Sequence, residues 1–240
     1  MTPGEGMPVA PEVLVLDDPA AGAAERLVRA VSAGGHVALA GGGTPRAAYE
    51  HAARADVDWS RATLWYGDER CVAPEDPRSN HAMVVEALLD RLTGPPPKVR
   101  RIEGERGAED AARAYEEALR AALGPEDPPR LDLVLLGVGP DGHCASLFPG
   151  KPALDERERA AVGVPESGLE PWVPRVTLTF PVLNAAREVV VLATGASKAG
   201  PVARAFGPEP DLALPAAHVR PSPGRLTLLL DPAAAEGLRA

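Results

Sequence analysis

The stretch LDLVLLGVGPDGHCASLFPG, residues 131–150, decides the fold. Its opening six residues are mostly apolar and break into a loop carrying Gly137, Gly139 and Gly142. A short apolar run ended by glycine reads as a strand buried on both faces. Working outward, comparable runs occupy Glu12 to Leu16, His36 to Ala40, Ala62 to Tyr66, Val176 to Phe180, Glu188 to Ala193 and Arg225 to Leu230. Between them, Ala, Leu and Arg recur at helical spacing over Ala20 to Ser32, Pro45 to Ala55, Ser79 to Leu92, Ala108 to Leu123 and Ser197 to Phe206. This alternation predicts an α/β fold, a mostly parallel sheet with helices on both faces, closed as one domain over residues 1–240. Residues 150–174 are the least regular stretch and read as a lid or rim. In such sheets ligands sit outside the C-terminal ends of the strands, so the residues after each run carry the functional question.

Composition narrows the classes. The chain has 240 residues, 34 Asp and Glu against 25 Lys and Arg, and a formal net charge of −9. Hydrophobic residues at 45% and charged residues at 25% are globular values and exclude disorder. An acidic chain with 4% aromatics lacks the basic, aromatic-studded surface that nucleic acid requires. The N-terminus has no signal-peptide pattern and no apolar run reaches membrane-spanning length, so a cytoplasmic protein without a membrane partner is expected. Cys71 and Cys144 then read as free thiols. A monomer or weak homo-oligomer is the expected state.

Four strand ends carry chemistry. Gly41-Gly42-Gly43-Thr44-Pro45 follows one run and opens a helix. Its glycines let the backbone approach a ligand, Thr44 is placed as the N-cap, and the free N–H groups suit an anion. An ordinary tight turn is the competing reading. Gly67-Asp68-Glu69-Arg70, with Asn80 beyond it, puts three charges at the mouth of a buried strand. Arg70 is suited to gripping a phosphate or carboxylate, with Asp68 or Glu69 orienting it, against the plainer alternative of a surface ion pair. Gly137 to Gly142 literally satisfies G-x-G-x-x-G, but Pro140 and Asp141 stand where a pyrophosphate needs N–H groups, so a dinucleotide is rejected. What remains is Asp141 two residues before His143, a general base with an orienting carboxylate. No spacing completes a metal set, and Ser146 lacks a nucleophile elbow. Lys198, after Thr194-Gly195-Ala196-Ser197, reads as a cation in a first helical turn, unfavourable there unless an anion binds. Arg175 is a further candidate cation, or a surface residue starting a strand.

Together, Gly-Gly-Gly-Thr-Pro (41–45), Gly-Asp-Glu-Arg (67–70) with Ser79-Asn80, the 136–150 block, Pro-Arg-Val-Thr-Leu-Thr (174–179) and Thr-Gly-Ala-Ser-Lys-Ala (194–199) resemble, in order, the 6-phosphogluconolactonase family. The resemblance implies a Rossmann-like fold and hydrolysis of a sugar phosphate lactone, 6-phosphoglucono-δ-lactone, without metal or other cofactor. His143 and Asp141 would be catalytic; Gly42, Gly43, Thr44, Asp68, Arg70, Asn80, Arg175 and Lys198 would bind substrate and its phosphate. Related glucosamine-6-phosphate deaminases carry a glutamate five residues after the equivalent His; here that position is Phe148, which argues against deaminase or isomerase chemistry. A non-catalytic sugar-phosphate sensor is the other alternative.

Overall fold

The computed structural model describes residues 10–238. Its strands are β1 (Glu12–Val15), β2 (His36–Leu39), β3 (Thr63–Tyr66), β4 (Asp68–Arg70), β5 (Lys98–Val99), β6 (Leu133–Leu136), β7 (Ala161–Val164), β8 (Arg175–Leu178), β9 (Glu188–Ala193) and β10 (Arg225–Leu230). The helices are α1 (Pro19–Ser32), α2 (Gly43–Ala52), α3 (Asn80–Ala87), α4 (Ala108–Leu123), α5 (Phe180–Ala185) and α6 (Ala199–Phe206). Seven strands form one sheet in the order β1-β10-β9-β6-β2-β3-β5, all pairs parallel. From the central pair β6 and β2, the chain runs outward one way through β3 and β5 and the other way through β9 and β10. The loops that leave Leu39 and Leu136 therefore diverge, opening a crevice at the switch point of the sheet.

The sheet interior is what the apolar runs predict: β6 is buried along its whole length, and β9 and β10 are buried beyond their first residues. One hydrophobic cluster joins these strands to Leu27 and Val31 of α1, Leu119 of α4 and Val202 of α6.

The difference from expectation lies in a second sheet. Val176 to Phe180 does not join the parallel sheet: Arg175–Leu178 is the middle strand of an antiparallel β4-β8-β7 sheet, and Phe180 starts α5. β7 comes from the stretch that read as irregular; its four residues leave too short a pattern to stand out. The chain crosses between sheets over one residue, Gly67. Its N–H donates to Leu39 O and its carbonyl accepts from Leu178 N, both at 2.8 Å.

Two fully buried tyrosines set the strand ends. The Tyr49 hydroxyl donates to Ala40 O and accepts from Ala40 N, both at 2.8 Å, at the close of β2. Tyr115 of α4 does the same at Tyr66, donating at 2.8 Å and accepting at 2.7 Å, at the close of β3. Burial pushes both phenols well up, which keeps them protonated and able to donate. Each latch satisfies backbone groups where the ladder ends, and it fixes the first atom of a loop that lines the crevice.

Candidate active site

The crevice is a cleft of about 360 Å³ lined by the loops after β2, β3, β6 and β9. It gathers nine of the ten residues singled out in sequence: Gly42, Gly43, Thr44, Asp68, Arg70, Asn80, His143, Arg175 and Lys198. Asp141, the tenth, is bonded to His143.

The His143 pair is built by the glycine loop. Gly139 N donates to His143 O at 2.8 Å and Gly142 N to Gly139 O at 3.0 Å, curling the chain so that residues 141 and 143 meet. His143 Nδ1 and Asp141 Oδ1 lie 2.5 Å apart, and the same oxygen accepts from His143 N at 3.2 Å. With Nδ1 committed, Nε2 is the nitrogen left to act on a ligand. Gly139 has no substitute: a Cβ there would sit 2.0 Å from His143 Nδ1. The next turn holds Ala145 at φ +49°, the sole positive-φ residue other than glycine among the described residues, and Ala145 also lines the cleft. Because the Gly139 and Gly142 N–H groups are used inside the loop, an oxyanion would have to take other donors than these two.

Phe148 lies behind the imidazole, its ring centroid 4.8 Å from that of His143. The Arg175 guanidinium stands over the same ring at 5.4 Å. Phe148 is 1% exposed. The position that would need a carboxyl for deamination thus holds a buried ring.

The phosphate-loop expectation needs one correction. Thr44 is not the N-cap of α2; Gly42, at φ +101°, takes that place and the helix starts at Gly43. The Thr44 hydroxyl instead meets the Thr194 hydroxyl at 3.0 Å, tying this loop to the one after β9. Gly43 and Thr44 lie in the first turn, where backbone N–H groups have no intrahelical acceptor. Gly41 is required for a different reason: a Cβ there would lie 2.1 Å from Asn80 Oδ1.

The Gly-Asp-Glu-Arg segment divides its labour differently from the expectation that Asp68 or Glu69 orients Arg70. Glu69, 3% exposed, accepts from the N–H groups of Arg70, Asn80 and His81, each at 2.7 Å, and from the Ser79 hydroxyl at 3.0 Å. It thereby caps α3 from outside the helix and positions Asn80. Burial pushes its carboxyl up, against the three backbone N–H hydrogen bonds that lower it. Asp68, 6% exposed, accepts from Ser146 Oγ at 2.6 Å and Asn80 Nδ2 at 3.2 Å. The Arg70 guanidinium donates to the carbonyl of Arg78, leaving it bound to no carboxylate among the described residues.

Arg175 is no surface residue: it is 3% exposed. Its Nη2 donates to Leu169 O at 3.0 Å and Pro171 O at 3.2 Å, and its buried Nε has no partner. The β4–β8 register sets it directly opposite Arg70. Like charges facing each other across a ladder repel, and burial with Arg70 nearby lowers the Arg175 pKa. Such a pair is stable against an anion placed between the two.

Lys198 closes a short 3-10 turn and flanks α6 in place of standing inside its first turn. Its Nζ donates to Val138 O at 2.7 Å. Burial lowers its pKa, with the Asp141 carboxylate opposing. Val138, Leu169 and Leu192 are among the apolar residues of the walls. They carry no chemical signature, and apolar lining is invisible to a search for functional groups. Among the described residues no three His, Cys, Asp or Glu side chains converge as a metal set, and no helix is long and apolar enough to cross a membrane. Burial raises both thiols, Cys71 to about 11 and Cys144 to about 12, so neither is a ready nucleophile.

Known proteins are similar to this chain over most of its length. Residues 15–228 match the model of the family described as glucosamine-6-phosphate isomerases/6-phosphogluconolactonase. A 6-phosphogluconolactonase of Streptomyces coelicolor is 43% identical over 194 residues, which is 78% of this chain and 74% of that protein. The human 6-phosphogluconolactonase is 40% identical over 215 residues, 90% of this chain and 82% of its own. The solved 6-phosphogluconolactonase of Trypanosoma brucei superposes with a TM-score of 0.84 at 30% identity, covering 95% of this chain and 98% of its own. A monomeric glucosamine-6-phosphate deaminase shares the fold at 20% identity, with a TM-score of 0.80.

Proposed function

The chain belongs to the glucosamine-6-phosphate isomerase/6-phosphogluconolactonase family, and we propose that it hydrolyses 6-phosphoglucono-δ-lactone to 6-phosphogluconate with His143 as the base that activates water. The observation that carries this reading is the Asp141–His143 pair, 2.5 Å apart, at the end of β6 in a cleft that also collects three cations. Asp141 accepts a hydrogen bond from Nδ1–H and supports the imidazolium that forms as Nε2 takes a proton from water. The hydroxide equivalent adds to the lactone carbonyl, and the tetrahedral intermediate collapses as Nε2 returns the proton to the leaving ring oxygen. Base and acid are then one group, restored at the end of the cycle. The remaining N–H groups of the 137–142 loop are the oxyanion candidates.

Binding follows from charge. Arg70, Arg175 and Lys198, with the N–H groups of Gly43 and Thr44 beside Gly42, hold the 6-phosphate, and an anion there relieves the Arg70–Arg175 confrontation. Asp68 and Asn80 face the sugar hydroxyls as a pair prearranged by Ser146 and Glu69. Cytoplasmic residence belongs to the same reading and is supported by the two free thiols. So does a monomer or weak homo-oligomer acting on this small molecule without nucleic acid or membrane.

The test is loss of fresh lactone with spontaneous hydrolysis subtracted, with and without chelator. General base catalysis contributes roughly 100- to 10,000-fold, so His143→Ala should lose rate by that order and still bind 6-phosphogluconate. Enzyme rate equal to background would overturn the proposal; a rate that chelator abolishes would overturn the metal-free mechanism.

A further inference from the structure

A second cavity, of about 530 Å³, lies behind the catalytic cleft and is larger than it. The two share a partition, the N-terminus of α3: Asn80 lines the cleft and the next residue, His81, lines the second cavity. One wall is α4, where Ala111, Ala114 and Ala118 recur at three- and four-residue spacing and leave open space. The opposite wall follows β5 and is basic, with Arg100, Arg101 and Arg106 against Glu103 alone. In a chain of net charge −9 this is a local reversal of sign.

The three arginines are not equally committed. Arg106 pairs with Glu103 at 2.9 Å and Arg101 with Glu105 at 2.6 Å, ion pairs near the surface that hold little and open readily. Arg100 enters no ion pair among the described residues, and its Nε is buried without any hydrogen-bond partner. Arg100 also lines an adjoining cavity of about 420 Å³ together with Lys98 and His36, so the basic wall continues along the sheet edge. A partly desolvated guanidinium with an empty fork is costly unless an acceptor fills it.

We propose that this cavity is a second anion site, separate from the cleft, for a small molecule carrying a pyrophosphate or two phosphoryl groups. Arg100 supplies the fixed fork, and Arg101 and Arg106 turn to the second phosphoryl group from their glutamates. Three guanidiniums line this wall, more positive charge than a single phosphoryl group neutralises. The site stands on its own residues and does not depend on the identity of the substrate in the cleft.

The experiment is calorimetric titration of the full chain with inorganic pyrophosphate, on the wild type and on Arg100→Gln, Arg106→Gln and Arg175→Gln. The wild type should bind at two sites. Arg100→Gln should weaken one of them by about tenfold or more, as expected for a charge-assisted hydrogen bond, and leave lactone turnover intact. Arg175→Gln should weaken only the other. Raised salt should weaken the Arg100-dependent event. If all pyrophosphate binding disappears with Arg175→Gln, or if Arg100→Gln keeps turnover and binds as the wild type does, the second site is refuted. Should Arg100→Gln lose both turnover and its folded circular dichroism, the exposed Arg106→Gln decides by the same criterion: unchanged binding refutes the site and weakened binding supports it.

Discussion

Replacing Arg175 with glutamine probes the proposed phosphate site. The guanidinium is buried, faces Arg70 in the β4–β8 register, and spends Nη2 on two carbonyls while Nε has no partner. A hydrogen bond between ionised groups is worth about 1.5–3 kcal/mol. At about 1.4 kcal/mol per decade, losing one such bond to the phosphate raises KM roughly ten- to a hundredfold. The phosphate ester is remote from the lactone carbonyl, so the loss should fall on KM with kcat little changed. Stability gives an independent check. Two carbonyls lose a donor, at about 1 kcal/mol each, while the variant escapes burial of a charge beside a like charge, so the ligand-free change should stay under about 2 kcal/mol. Inorganic phosphate at a hundred times its Kd should stabilise the wild type by about 2.7 kcal/mol. At about 2–4 °C per kcal/mol for a domain of this size, that is a rise in Tm of roughly 5–11 °C, which the variant should largely lose. Initial rates on fresh lactone and paired melting curves measure both quantities. An unchanged KM, or equal phosphate protection in the two proteins, refutes the assignment.

Other substitutions report on different parts of the site. Gly139→Ala places a methyl 2.0 Å from His143 Nδ1, so kcat should fall about as far as in His143→Ala, roughly 100-fold or more, while 6-phosphogluconate still binds in a titration. Ser146→Ala strips the 2.6 Å donor from the buried Asp68 carboxylate; a loss of about 1–3 kcal/mol in urea unfolding is expected, with a raised KM. Burial lowers the Lys198 pKa below the ordinary 10.5, so its cation is lost earlier than usual as pH rises. Affinity for 6-phosphogluconate should therefore fall with pH on the alkaline side, and in Lys198→Arg that fall should vanish; a fall that persists would remove Lys198 from phosphate binding.

What was legible in the sequence followed from period and punctuation. The runs at 188–193 and 225–230 and the helix at 108–123 have the bounds that their patterns predict, because each is long, apolar or amphipathic, and flanked by breakers. The antiparallel β4-β8-β7 sheet was not legible. Its strands are three or four residues long, and Asp68-Glu69-Arg70 is charged throughout, so no hydrophobic alternation marks it as a strand. That omission is also why Arg175 read as an ordinary strand-starting residue and its position opposite Arg70 was unseen. The glycine loops and the Asp141–His143 pair were readable, since local spacing alone brings them together. The roles of Glu69, Ser146, Tyr49 and Tyr115 were not, because their partners lie in other segments or across a backbone turn that only the fold closes.

The single-residue passage through Gly67 has a mechanical consequence. His143, the proposed base, follows a strand of the seven-stranded sheet, whereas Arg70 and Arg175 ride on the three-stranded one, and the chain steps from one to the other over a glycine bonded to both. A sugar phosphate seated with its lactone at His143 and its phosphate between the arginines spans that joint like a brace. Occupancy should accordingly slow amide exchange in β4, β7 and β8 more than in the strands of the larger sheet, and the distance from base to cations becomes the ruler that excludes sugar phosphates of the wrong length.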